Sequence, residues 1–173
     1  PIISKTEANY VQKIINSGYV SSVGAHVEKF EDSVKKFTKS KYAIAIVNGT
    51  NALHIALLAV GVRSGDEVLV PALTFVASAN SISYCNATPH FIDSDIKNLQ
   101  IDYKKLDAYL EKISIKKDNF SINKKTGKKI TAIMPVHTFG HSANIELLLK
   151  ISKKYNLKIV EDAAEGLGSF YKD

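Results

Sequence analysis

Residues Tyr42–Val70 read YAIAIVNGTNALHIALLAVGVRSGDEVLV, and three patterns follow one another there. Tyr42 to Val47 is a short apolar run, suited to a buried parallel strand. Thr50 to Val60 repeats apolar residues at helical spacing, and Gly61 closes it. Ser64-Gly65-Asp66 is a turn, and Glu67 to Val70 is a second apolar run. Strand, helix and strand in such close succession predict a βαβ unit.

The alternation continues outward from this unit. Thr74 to Tyr84 predicts a helix, and His90-Phe91-Ile92 a strand. Asp102 is placed to cap a helix carrying Leu106, Leu110 and Ile113. Residues 114–129 are polar, with a turn at Thr126-Gly127, and are expected to form a solvated loop. Ile130 to Met134 predicts a strand, Asn144 to Tyr155 a helix and Leu157 to Val160 a strand. Upstream, Ser4-Lys5-Thr6-Glu7 reads as a capping box ahead of a helix with Ala8, Val11 and Ile15 on one face, ended by Gly18. Val27, Phe30, Val34 and Phe37 mark a second amphipathic helix. The expected fold class is α/β, a mostly parallel sheet flanked by helices. The N-terminal helices occupy residues 1–40 and the α/β core residues 41–173. No repeat or linker divides it.

The chain has 173 residues, 45% of them hydrophobic, which suffices for a buried core. No apolar stretch has the length of a membrane span, and the first residues lack the pattern of a signal peptide. Cys85 is the single cysteine, which excludes a disulfide framework and a cysteine-type metal cluster, so no metal is expected. A reducing cytoplasm is the simplest setting. The net charge of +6 comes almost wholly from lysine, with Arg63 the single arginine. Bidentate reading of phosphates and guanine edges uses arginine, so nucleic acid is not the expected partner. An anionic small substrate is compatible with the charge.

In an open parallel sheet, ligands bind beyond the carboxyl ends of the strands. Three segments fall there. Asn48-Gly49-Thr50-Asn51 opens a helix, where Gly49 allows close approach and the N–H groups of Thr50 and Asn51, with the Thr50 hydroxyl, can receive an anion. The same residues also make an ordinary helix cap, and they match neither a Walker loop nor a dinucleotide fingerprint. Pro71-Ala72-Leu73-Thr74-Phe75 ends a strand on an aromatic, which could lie on a planar ring or belong to the core. Val160-Glu161-Asp162-Ala163-Ala164-Glu165 sets carboxylates after a strand, suited to a helix cap, a metal or a cofactor. Together they meet the needs of pyridoxal 5'-phosphate (PLP): donors for its phosphate, an aromatic for its ring, and a carboxylate to keep its ring nitrogen protonated.

Four runs carry a resemblance. They are Val47-Asn48-Gly49-Thr50-Asn51-Ala52-Leu53-His54; Gly65-Asp66-Glu67-Val68 with Pro71-Ala72-Leu73-Thr74-Phe75; Pro135-Val136-His137-Thr138-Phe139-Gly140; and Glu161-Asp162-Ala163-Ala164-Glu165-Gly166-Leu167-Gly168-Ser169. Together and in this order, they resemble the DegT/DnrJ/EryC1/StrS family of PLP-dependent nucleotide-sugar aminotransferases. The resemblance runs over nearly the whole chain, from Gly24, Val27 and Phe30-Glu31 onward. Tyr19–Gly24 and Asn123–Lys128 look most like the branch that aminates 4-keto-6-deoxy sugars of the legionaminic acid or bacillosamine type.

The resemblance implies the large domain of a fold type I PLP transferase, incomplete at its C-terminal side. It implies that Gly49, Thr50 and Asn51 take the phosphate, Phe75 stacks on the ring, Asp162 pairs with the ring nitrogen and Glu165 lies near the ring hydroxyl. It assigns no role to His137, and His54 reads as structural. It implies a nucleotide-diphosphate keto sugar as substrate, an amino-acid donor such as glutamate, and a homodimer. The family's Schiff-base lysine is expected beyond Asp173. Lys172 belongs to the tail of the Asp162 run, so no catalytic residue is expected within the chain and the fragment is expected to be inactive. An exposed sheet edge is expected to favour association. A PLP-dependent sugar dehydratase, in which histidine replaces that lysine, and a non-catalytic binding homologue are the alternatives.

Overall fold

The computed structural model describes residues 2–172, and the chain falls into two compact units, Pro1–Ala45 and Ile46–Asp173. The first unit holds α1 (Lys5–Asn16) and α2 (Ala25–Thr38). The capping box at the start of α1 is complete. The Ser4 side chain accepts from Thr6 N–H, while the Glu7 carboxylate accepts from Ser4 N–H at 2.7 Å. Tyr10 meets His26 edge to face, with the hydroxyl 3.0 Å from Nδ1. Neither helix contains a buried residue.

The second unit is built on a mixed six-stranded sheet of order β2-β1-β5-β4-β3, with β6 also paired to β5. Its strands are β1 (Glu67–Pro71), β2 (Thr88–Ile92), β3 (Ser114–Lys117), β4 (Phe120–Asn123), β5 (Lys129–Ile133) and β6 (Lys158–Ile159). β2, β1, β5 and β6 run parallel, while β3 and β4 form an antiparallel hairpin against the start of β5. The helices are α3 (Gly49–Ala59), α4 (Val76–Tyr84), α5 (Tyr103–Ile113) and α6 (Ile145–Tyr155).

Side-chain alternation along the central strands sorts the helices into two layers. Leu69, Ile130 and Ile133 pack with Leu106 and Leu110 of α5 and Leu148 and Ile151 of α6. Val68, Val70, Ala132 and Met134 pack on the other face with Leu57 of α3 and Ile82 of α4. A bulge opposite Glu67 and Val68 leaves Thr131 unpaired with β1, and its hydroxyl donates to Asp66 at 2.7 Å. His54 meets Tyr84 edge to face, as befits a structural histidine between α3 and α4.

Two expectations are corrected. Tyr42 to Val47 forms no strand, and Ile44 and Val47 are exposed. A strand is made by backbone pairing and not by apolar composition, and none of the sheet's ladders includes this run. The polar stretch expected as a loop contains the β3–β4 hairpin. Asp118 and Asn119 adopt φ of 47° and 63° there, the backbone of a two-residue turn that matches strand twist.

Candidate active site

Because β1, β5 and β6 run parallel, their carboxyl ends emerge on one side of the sheet. The segments that follow them enclose a cavity of about 430 Å³ lined by Leu73, Thr74, Phe75, Val136, Thr138, Phe139, Asp162, Ala164 and Glu165. Phe75, Asp162 and Glu165 are therefore brought together from segments far apart in sequence. The Gly49-Thr50-Asn51 turn opens α3 but is not part of this cavity wall. The Asn51 N–H, expected to be free, is taken by Asn48 Oδ1 at 2.9 Å. The N–H groups of Gly49 and Thr50 remain without intrahelical acceptors. Space beside the Gly49 α-carbon is open.

Asp162 is buried, and its position is set from several directions. Its backbone pairs with the extension of β5, through Asp162 N–H to Pro135 C=O at 2.9 Å and His137 N–H to Asp162 C=O at 3.1 Å. No helix follows it, so it is not a helix cap. Its Oδ1 accepts from Ala164 N–H at 3.2 Å and its Oδ2 from the buried Ser78 hydroxyl at 2.6 Å. The Ser78 hydrogen is thereby committed, so the Thr74 hydroxyl, 2.6 Å away, donates to Ser78. A relay Thr74, Ser78, Asp162 results, all of it hydrogen bonding toward the carboxylate.

Phe75 precedes α4 and is 77% exposed, an aromatic face turned to open space rather than to the core. Glu165 accepts from Phe139 N–H at 2.6 Å. Phe139 sits at φ 55°, an uncommon backbone for a bulky residue, in a short 3-10 turn (Thr138–Gly140). The Thr138 hydroxyl is buried beside the cavity without a hydrogen-bond partner. Behind this wall lies His137, whose Nε2 is 2.9 Å from Glu161 and whose Nδ1 accepts from Ala143 N–H at 3.1 Å. The hydrogen bond from His137 holds the Glu161 carboxyl below its ordinary range, against the opposing effect of burial.

Sequence reasoning missed Ser78, Thr74 and Thr138. Thr74 and Ser78 stand four residues apart at a helix start, which brings their hydroxyls within reach of each other, but nothing local announces the carboxylate they serve. Lys172 pairs with Glu146 at 2.6 Å and does not line the cavity. A larger cleft, of about 670 Å³, runs along the loop after β2. Its carboxylates Asp95 and Asp102 already accept from the N–H groups of Lys97 and Lys105, so size alone does not choose the site.

A buried carboxylate with an exposed aromatic beside it, an orphaned hydroxyl and a strained aromatic turn fit a planar, polar aromatic ligand. PLP is such a ligand, and these residues accommodate its ring. The profile of the DegT/DnrJ/EryC1/StrS aminotransferase family matches residues 1–173. The chain belongs to this family. GDP-perosamine synthase of Caulobacter vibrioides is 38% identical over 172 residues, covering 99% of this chain and 42% of that protein. The aminotransferase from Psychrobacter cryohalolentis superposes with a TM-score of 0.84 at 32% identity, covering 99% of this chain and 40% of the other. The NtdA structure from Bacillus subtilis, solved with bound cofactor PMP, superposes with a TM-score of 0.80 at 29% identity, covering 96% and 35%. The family member described here thus spans about two fifths of the length of the relatives it matches.

Proposed function

We propose that the whole protein is a PLP-dependent aminotransferase that transfers an amino group, with glutamate as donor, to a nucleotide-linked keto sugar of the 4-keto-6-deoxy type. The observation that carries the reading is the buried Asp162 carboxylate sharing one cavity wall with the exposed ring of Phe75. PLP supplies the electron sink for such a transfer. Asp162 keeps the proton on the cofactor's ring nitrogen, and the Thr74–Ser78 relay orients the carboxylate for that role. Phe75 would cover one ring face and exclude water from it. The Gly49 and Thr50 N–H groups, with the Thr50 hydroxyl, receive the phosphate at the start of α3, and Asn51 supports that turn. Glu165, which holds the Phe139 backbone, would stand near the ring hydroxyl of the cofactor. The relative named GDP-perosamine synthase supports a nucleotide sugar as the acceptor.

No lysine lines the cavity that holds Asp162 and Phe75, and Lys172 pairs with Glu146 instead, so the lysine that attaches the cofactor is placed by this proposal beyond Asp173. The 173-residue chain alone therefore gives no turnover, and the active protein is a homodimer. The test uses the full-length protein loaded with PLP. Glutamate should bleach the visible absorbance of the bound cofactor, and a nucleotide-linked keto sugar should restore it with nitrogen in the product. Borohydride reduction and peptide mapping should place the adduct beyond Asp173. An adduct on any of residues 1–173 would overturn the assignment, and loss of a sugar hydroxyl without nitrogen uptake would turn it into a dehydratase.

A further inference from the structure

We propose that His137 is a positioning residue that fixes Asp162 and Glu165 relative to each other, an inference that rests on the cofactor reading of this site. His137 is 7% exposed and does not line the cavity, so it acts through its neighbours. Its tautomer follows from its partners. The Ala143 N–H can only donate, so Nδ1 is the bare nitrogen, and the proton on Nε2 is donated to Glu161. One ring thereby joins the end of the loop that carries Phe139 to the residue before Asp162.

A third segment closes on the same ring. A Cβ at Gly166 would lie 3.1 Å from both the Cβ and the ring Cδ2 of His137, so glycine is what lets the chain pass this closely just after Glu165. The backbone of His137 adds the bond to Asp162 C=O at 3.1 Å. Glu165 completes the circuit by accepting from Phe139 N–H at 2.6 Å. Asp162 and Glu165 are thus bracketed by Glu161 and Gly166, both in contact with one buried ring. This bracing holds Phe139 in its left-handed conformation, which a free loop would abandon.

The experiment uses the full-length protein. Long-range 15N–1H spectra of the wild type should show His137 with a bare Nδ1 and a protonated Nε2 at neutral pH, and the opposite tautomer would overturn the clamp. His137→Phe removes both ring hydrogen bonds at similar volume. It should weaken PLP binding about tenfold and shift the absorbance band of the bound cofactor. His137→Asn, which keeps an acceptor for Ala143, and His137→Gln, which keeps a donor for Glu161, should each restore part of the affinity and band position. A folded His137→Phe protein that binds PLP within about twofold of wild type, with an unmoved band, would show a merely structural histidine and sink the proposal, whatever its melting temperature. Should that variant fail to fold, Glu161→Ala gives the same two readouts, with a band shift expected and its absence fatal. Wild-type protein that takes up no PLP would defeat the cofactor reading instead, and the tautomer spectrum would still decide the clamp.

Discussion

At Asp162, the cost of burying a carboxylate is offset by donors. Two aim at it directly, and one of these is itself fed by Thr74. Ser78→Ala removes the central link and leaves both Thr74 Oγ1 and Asp162 Oδ2 without a partner. We expect a loss of about 1–3 kcal/mol in urea unfolding, together with weaker PLP retention by the full-length protein, whereas Ser83→Ala on the exposed side of α4 should change neither. Glu67, at the opposite end of β1, shows the same principle without a functional role. Burial pushes its carboxyl up, but hydrogen bonds from Asn123, Thr126 and His90 outweigh that, and the net value lies below the ordinary 4.5. The unfolded chain then binds the proton more readily than the folded one, so stability rises with pH. The Glu67 contribution is complete above the ordinary carboxylate range and is lost as pH falls through the lowered folded value. Glu67→Gln should cost about 2 kcal/mol at neutral pH and flatten the acid limb of unfolding midpoints measured from neutral pH to pH 3. An acid limb as steep as that of the wild type would show that other carboxylates control it.

The hairpin is the element in which sequence and structure part most instructively. Lysines crowd residues 116–129, and that density reads as a solvated loop, yet β3 and β4 pair through Ser114 to Asn123. The clue was Asp118-Asn119, a two-residue pair able to take positive φ between Ile115 and Phe120. β3 is an edge strand, and Lys116 and Lys117 there discourage pairing with another chain. Replacing both by valine should leave the unfolding midpoint within about 0.5 kcal/mol while raising light scattering at high protein concentration. Unchanged scattering would remove the guarding role. The helices were legible because their signals are local: Ser4 and Asp102 cap the helices predicted from them, and Asn48 and Asn144 cap helices predicted over Thr50 to Val60 and Asn144 to Tyr155. The run Tyr42–Val47 misled because apolar composition reports a tendency to be buried, whereas a strand requires a partner to pair with, which composition does not encode. The cavity was legible in its parts, Phe75, Asp162 and Glu165, since each follows a strand or its turn. Ser78 was not, because its role depends on Asp162, distant in sequence, and Thr138 was not, because the burial of its unpartnered hydroxyl is set by the tertiary fold.

On the scale of the whole molecule, the telling surface is that of α3. The helix carries Ala52, Leu53, Ile55, Ala56, Leu57, Leu58 and Ala59, apolar around its circumference, yet only Leu57 is fully buried. Ile55 is 49% and Leu58 40% exposed, and on α4, which packs against α3, Val76 and Tyr84 are exposed as well. A helix that is apolar all round belongs in an interior or an interface, and an exposed patch of this kind marks an association site. The proposed homodimer, or further segments like those that make the relatives more than twice as long, would supply the cover. The 173-residue chain by itself should therefore bind a hydrophobic dye such as ANS and sediment as a concentration-dependent mixture. Ile55→Lys combined with Leu58→Lys should suppress both behaviours. The pair should leave the unfolding midpoint within about 0.5 kcal/mol, because neither side chain is part of the buried core. In the full-length protein the same pair should be costly, either splitting the proposed dimer or lowering the melting temperature, as the proposed cover of this face requires. Dye binding that survives the double substitution would place the adhesive surface elsewhere, with the exposed Phe30 and Phe37 of α2 the next residues to replace.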